Sequence, residues 1–266
     1  MSSHVDVLAS TALAIVILMV VAWLISLPAG NASIVHGFWG LGFVLIGWVA
    51  WAVGDGDTNR SDLLVAMVSI WGVRHSVHAW YRNLGQGEDH HHRSMRQRTG
   101  ANFAIFSLFT VFLSRGAVVW VVSLPIQLAV TPLEPRVSAL AIVGVAIWGV
   151  GFFFATVGDA QLARFRADPA NDDNVLDWGL WRYTRHPNYF GDFCVWWGIW
   201  LVAAETSDAR IGVVGPLLMS VLLLRNSGIR ILRPQLHQPA LHQHRVDYDD
   251  YVARTSPFIP RTPRPS

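Results

Sequence analysis

Four groups of residues combine types and spacings that suit chemistry. Arg74, His78 and Arg82 recur every four residues with His75 beside the first, so one helical face carries two permanent cations and a titratable imidazole. Such a face can hold a phosphate-bearing ligand, although Arg82 also suits snorkelling toward lipid headgroups. Further on, Asp159, Gln161 and Arg166 lead into the polar segment Ala167 to Asn174. If the helix continues, Asp159 and Arg166 share a face, either to meet a ligand bearing amide and phosphate groups or as an ordinary intrahelical charge pair.

The third group is contiguous: Trp181-Arg182-Tyr183-Thr184-Arg185-His186-Pro187-Asn188-Tyr189-Phe190-Gly191-Asp192. His186-Pro187 is expected to stop one segment and Asn188 to cap the next helix. A helix N-terminus flanked by Arg182, Arg185 and His186 attracts anions through its unpaired N–H groups and through charge. The fourth group is C-terminal. Tyr248, Tyr251 and Arg254 at three-residue spacing predict a short helix that folds back under the membrane face, or a solvated amphipathic end. It follows His237, His242 and His244. Neither these histidines nor the His90-His91-His92 run has a helical spacing with a carboxylate that holds a catalytic metal, so no metal is expected. There is no Walker loop, and no glycine-rich dinucleotide fingerprint follows a strand, since no strand is predicted.

The elements that must position these groups are membrane helices. A 266-residue chain with 52% apolar and 14% charged residues is difficult to keep soluble as one domain. Seven apolar stretches approach the roughly 20 residues that cross about 30 Å of hydrocarbon. They run from about Val7 to Leu27, Val35 to Val53, Leu63 to Tyr81, Phe103 to Leu124 with an interruption at Ser114-Arg115-Gly116, Ser138 to Val157, Tyr189 to Ala204 and Ile211 to Leu224; the last two are short, and six spans is the alternative. The expected fold is therefore an all-α polytopic bundle in one integral membrane domain, with its core at 34–260 and a tail at 261–266. Cytosolic loops and the C-terminal segment would form a cofactor site. The first apolar run has no Arg or Lys before it and is long for a signal sequence, so it reads as a retained span.

Every basic residue is Arg. Four lie between Arg82 and Arg98, four between Arg164 and Arg185 and seven from Arg225 onward, whereas the opposite loops hold Arg60, Arg136 and Arg210. The positive-inside rule then puts the rich segments and the C-terminus in the cytosol. The expected location is a bacterial cell membrane, or the endoplasmic reticulum in a eukaryote. The net charge of +2 reports topology and calls for no nucleic-acid partner. Cys194 is the single cysteine and reads as a buried, inert thiol.

The stretch Trp181 to Asp192, followed by Trp196-Trp197-Gly198, resembles the signature of the steroid 5α-reductase-like membrane family catalogued as DUF1295. Phe38-Trp39-Gly40-Leu41-Gly42-Phe43, Trp71-Gly72-Val73-Arg74, Glu88-Asp89, Asp159-Ala160-Gln161-Leu162 with Phe165, Gly179-Leu180-Trp181, Ser227-Gly228 and Thr255-Ser256-Pro257-Phe258-Ile259-Pro260 follow in that family's order and spacing. The resemblance implies seven helices, NADPH bound from the cytosol, and hydride transfer to an enone-like double bond of a steroid-like or polyprenoid lipid within the membrane. It implies that Asp159, Arg166 and Asn188 contact the cofactor, with Arg182, Arg185, His186 and Tyr189 around it and Tyr251 and Arg254 closing the site. Arg74 and Arg82 join this cofactor set as further cations.

Several positions depart from that family's pattern. Ala155 and Arg233 replace acids, His36 replaces the acid before Phe-Trp-Gly, Asp172 and Asn174 replace basic residues, and Asp192 replaces a Glu. Each change removes a group able to orient a cofactor or polarise a carbonyl. His36 can compensate by donating a proton or hydrogen bond to the substrate carbonyl. Two other readings remain. Arg-His-Pro-x-Tyr with a C-terminal Tyr-x-x-Tyr is also similar to isoprenylcysteine methyltransferase-like proteins, which implies S-adenosylmethionine as cofactor. The missing acids fit a scaffold that binds lipid or a protein partner without turnover.

Overall fold

The computed structural model describes residues 3–54, 59–83, 85, 87–130, 139–171, 174–205, 208–226 and 242–264. Of the residues singled out above, Arg136, Asp172, Ser227, Gly228, Arg233 and His237 lie outside these ranges, as do the side chains of 242–247. Among the described residues the regular elements are all helical. They are α1 (His4–Ala29), α2 (Val35–Val53), α3 (Asn59–Asn83), α4 (His90–Thr99), α5 (Phe103–Ser107), α6 (Ser114–Val122), α7 (Leu124–Ala129), α8 (Ala139–Ala167), α9 (Pro187–Ala203), α10 (Val214–Asn226) and α11 (His242–Arg254).

Four stretches are long and apolar enough to cross a membrane: His4–Ala29, Ala32–Val53, His90–Val122 and Ala139–Ala167. They overlap the first, second, fourth and fifth expected spans, the fourth starting at His90 instead of Phe103 and the fifth ending at Ala167 instead of Val157. The other three expected spans are also helices, but of a different kind. α3 carries Arg60, Asp62, Arg74 and Arg82. α9 has 17 residues and α10 has 13, so they reach only about 25 and 20 Å at 1.5 Å per residue. The interruption expected at Ser114-Arg115-Gly116 does not occur. α5 runs through a π-helical stretch, Leu108–Leu113, into α6, and the Ser114 hydroxyl donates to the Thr110 carbonyl at 2.7 Å instead of breaking the helix.

The chain divides into two compact units. The first comprises residues 1–145 and 199–216, the second residues 146–198 and 217–266. In the first unit, α1 is started by a reciprocal capping box between Ser3 and Asp6 and ended by Gly30 at φ 58°. α2 and α3 pack closely because both present glycine at their crossing: a Cβ on Gly72 would stand 2.7 Å from the Gly40 carbonyl oxygen. Ser76 on α3 accepts the Leu41 N–H at 2.9 Å across the same contact. Phe43 fills the core against Trp39 and Trp71. Two buried polar pairs lie there. The Thr11 hydroxyl donates to Gln127 Oε1 at 2.6 Å, and Arg60 meets Glu205 at 3.2 Å with both side chains almost fully buried. By contrast Leu13, Ile17, Leu24, Ile105 and Phe109 are exposed. Apolar surface of that extent suits lipid contact and fits an integral membrane protein.

In the second unit α8 and α9 cross at Gly151 and Gly191. A Cβ on Gly191 would collide with the backbone of Ala155 and lie 2.6 Å from the Gly151 carbonyl oxygen. Ala155, 1% exposed, therefore sits at the crossing itself. A longer acidic side chain at this position would need the two helices to separate, which gives a packing reason for one departure from the family pattern. Phe154 and Phe190 meet edge to face beside the crossing at 5.1 Å.

Candidate cofactor site and a histidine–aspartate cluster

The close approach of α8 and α9 determines where their polar residues meet. Asn188 Nδ2 donates to Asp159 Oδ1 at 3.0 Å, so the Asp159 carboxylate is joined to α9, and Arg166 faces a cavity. Asn188 is not the helix cap expected from the sequence. α9 begins at Pro187, whose missing N–H and fixed φ suit a first helical position. The His186 carbonyl accepts the Phe190 N–H at 3.0 Å. The His186 ring stacks on Tyr189 with centroids 5.5 Å apart.

The segment before α9 is shaped by Gln161. Its Oε1 accepts the Leu180 N–H at 3.0 Å, where Gly179 turns the chain at φ 61°. A Cβ there would collide with the Gln161 amide. Trp181 Nε1 donates to the Gly158 carbonyl at 3.0 Å. The Asp-x-Gln-Leu and Gly-Leu-Trp motifs are thus two halves of one contact.

The C-terminal segment closes over this. Tyr251 donates its hydroxyl proton to the Trp181 carbonyl at 2.7 Å, and Thr184 does so to the Phe258 carbonyl at 2.8 Å. The Arg185 N–H donates to the Ser256 carbonyl and the Arg261 N–H to the Tyr183 carbonyl, each at 2.9 Å. Phe258, 8% exposed, lies against Phe190 and Phe193. The expected helix around Tyr248 and Tyr251 is present as α11. The Pro-rich end is more than a solvated tail: Thr255 to Pro260 straps the central motif.

Three adjoining cavities follow. The first, of about 440 Å³, is lined by Phe165, Arg166, Arg185, His186, Tyr248 and Tyr251 among others. The second, of about 460 Å³, shares Phe165 and Tyr251 with it and adds Asp177, Asp250 and Arg254. The third, of about 730 Å³, shares Asp177 and Arg254 with the second and adds Arg182 and Arg264. No carboxylate is among the described residues lining the first cavity. The Arg185 Nε is buried there and makes no hydrogen bond to any described residue. Burial pushes the Tyr248 phenol above its ordinary value, with Arg185 working the other way. Burial likewise raises Tyr251, so both are neutral at physiological pH. Arg254 pairs with Asp177 at 3.1 Å and Asp250 at 2.9 Å. Of the residues expected around a cofactor, Arg166, Arg182, Arg185, His186, Tyr251 and Arg254 line these cavities. Asp159, Asn188 and Tyr189 support their walls through contacts of α9. Arg74 and Arg82 lie on α3 in the first unit and line none of the three.

The first unit has a second polar centre. His36 Nε2 lies 3.2 Å and His92 Nδ1 2.7 Å from Asp89 Oδ2. The Ser33 hydroxyl donates to the same oxygen at 2.8 Å. Burial alone would raise the Asp89 pKa, but hydrogen bonds from the His92 N–H, Ser33 and His36 outweigh it and hold the carboxyl below the usual range. The adjacent Glu88 is lowered chiefly by its hydrogen bonds from Arg96. Sequence reasoning singled out His36 and the His90-His91-His92 run separately. Asp89 and His92 stand at i,i+3 at the start of α4, a local spacing, whereas only the fold brings His36 to them.

The family model described as "Protein of unknown function (DUF1295)" matches residues 22–255. No curated protein and no solved structure matches the chain.

Proposed function

The chain belongs to the DUF1295 family, and we propose that it is an NADPH-dependent membrane reductase acting on a carbon–carbon double bond conjugated to a carbonyl in a steroid-like or polyprenoid lipid. The observation that carries this reading is the run of three adjoining cavities with cationic, aromatic and amide-bearing walls. The second cavity shares wall residues with each of the others, while the first and third share none, which suits a dinucleotide with separated anionic groups better than a compact ligand. The Arg185 Nε, which makes no hydrogen bond to any described residue, and the lack of a carboxylate among the described lining of the first cavity suit an anionic group.

In this reading Arg166, Arg185 and His186 hold phosphate oxygens, and Tyr248 and Tyr251 present ring faces to a base. Arg182 and Arg264 serve a second anionic group in the third cavity. Asp159 and Asn188 keep α8 and α9 in register, so that the amide and carboxylate are fixed before any ligand arrives. NADPH, when bound, supplies the hydride. The finer topology belongs to the same proposal: α3, α9 and α10 complete seven spans, with the C-terminus cytosolic. The exposed apolar faces at Ile70 and Val77 on α3 and at Leu217 and Val221 on α10 support it.

The test is thermal unfolding of the detergent-purified protein with NADPH and, separately, with S-adenosylmethionine. A ligand at 100 times its Kd stabilises by about 2.7 kcal/mol. Stabilisation by adenosylmethionine alone would favour the methyltransferase reading, and stabilisation by neither would favour a lipid-binding scaffold.

A further inference from the structure

We propose that Asp89, His36 and His92 form a binding site for one divalent first-row transition ion of the zinc type. The three donor atoms, His36 Nε2, Asp89 Oδ2 and His92 Nδ1, lie within 4.8 Å of one another. Their contacts with Asp89 are 3.2 and 2.7 Å. An ion about 2.0–2.1 Å from each ligand of a tetrahedral set separates neighbouring ligands by about 3.3 Å, so the two contacts need only small adjustments. Two imidazoles and one carboxylate form a ligand set familiar for zinc and for non-haem iron.

The carboxylate is oriented for this before any ion arrives. Asp89 is the cap of α4, and its Oδ1 accepts the His92 N–H at 2.9 Å. Oδ2 is thereby left for the histidines, and the Ser33 hydroxyl supports it from outside at 2.8 Å. Ser33 Oγ in turn accepts the Asp89 N–H at 2.9 Å. The neighbouring Glu88 ties the segment down. It accepts two bonds from Arg96, at 2.8 and 2.9 Å, and the Ala32 N–H at 2.9 Å. The pair of turns that bears the ligands is thus cross-linked independently of them.

Exposure is uneven in a way that leaves room for one more ligand. The His92 side chain is 2% exposed, whereas those of His36 and Asp89 are 33% and 38% exposed. Three protein ligands with an accessible side describe a site with an open position, unlike a closed structural site. Arg115 is within electrostatic reach of His36, His92 and Asp89, and its Nη1 is buried without a hydrogen bond to any described residue. A nearby guanidinium disfavours a bare dication but favours an anionic oxygen on it. The open position is therefore assigned to an oxygen ligand that carries negative charge. This proposal does not rest on the nicotinamide reading, which concerns residues of the other unit.

The test uses full-length protein in detergent, stripped with a chelator and titrated with Co2+ as a visible stand-in for Zn2+. The expected result is an absorption band that saturates near one equivalent and is displaced by Zn2+. Asp89→Asn, which can still cap α4, and His36→Ala should each abolish the band with helix content unchanged. Ser33→Ala should weaken binding by about tenfold, as for an outer-sphere partner. His91→Ala should leave the band intact. A folded protein that shows no band, or Asp89→Asn and His36→Ala proteins that bind Co2+ like the unmodified chain, would overturn the proposal. The same titration is read without any nucleotide, so its outcome is separate from that of the reductase test.

Discussion

Arg185 is the residue on which the cofactor reading is most exposed to test. Its backbone N–H is committed to Ser256, while its buried Nε makes no hydrogen bond to any described residue. A hydrogen bond to a charged group contributes about 1.5–3 kcal/mol, so Arg185→Ala should weaken NADPH binding by about 10- to 100-fold. Fluorescence titration of the folded variant would measure this, and unchanged affinity would remove Arg185 from the site. Tyr251 has a structural role. Tyr251→Phe deletes the bond to the Trp181 carbonyl and should destabilise the protein by about 1 kcal/mol, seen as a lower Tm. Asp89 makes a pH-dependent prediction. Its folded pKa is depressed, so its contribution is present at neutral pH and is lost only as pH falls from the unfolded value, about 3.9, toward the lower folded one. The stability gap between the unmodified protein and Asp89→Asn should stay constant from pH 7 to about pH 5 and close below about pH 4. A gap that closes between pH 7 and 6 would mean that a histidine governs it.

At the scale of elements, the site depends on how closely α8 and α9 approach. Gly191→Ala places a methyl group against Ala155 and the Gly151 carbonyl, and overpacking of this kind costs about 1–3 kcal/mol. The same change should loosen the Asp159–Asn188 bond, so nucleotide affinity should fall together with Tm. A variant that loses neither would show that the crossing tolerates more space than its geometry indicates. Much at this scale was legible in the text. The apolar runs read as α1 and α2 were found nearly at their expected bounds, because hydropathy and the lack of charge act over whole spans, whereas α8 continues past the expected end at Val157 to Ala167. The α11 helix was legible from the spacing of Tyr248, Tyr251 and Arg254. Three features were not. The π-helical stretch at Leu108–Leu113 lets the chain pass Ser114-Arg115-Gly116 without a break. The Pro187 start of α9 moved Asn188 from cap to side-chain partner. The Thr255–Pro260 strap is held by backbone carbonyls, which no residue identity announces.

For the molecule as a whole, the sequence pointed to an all-helical membrane protein of the DUF1295 family, and both statements hold. The pairing of motif residues was partly legible. Gln161 with Gly179 and Asp159 with Asn188 lie in motifs that read as separate signatures, and only the fold shows them in contact. The Asp89–His92 pair stands at i,i+3, but its union with His36, 53 positions earlier, was illegible. The proposed seven-span topology places Arg98 and the C-terminus on one side and Arg210 on the other. Reporter fusions should place residues near 98 and 264 in the cytosol and residues near 208 outside, and a cytosolic reporter at 208 would break the seven-span scheme. The central claim is nicotinamide-dependent reduction, and thermal unfolding of the purified protein with and without NADPH tests it most directly. The account predicts a concentration-dependent rise in Tm with NADPH, absent with S-adenosylmethionine and strongly reduced in Arg185→Ala. No shift with NADPH, or a shift with S-adenosylmethionine alone, would contradict it.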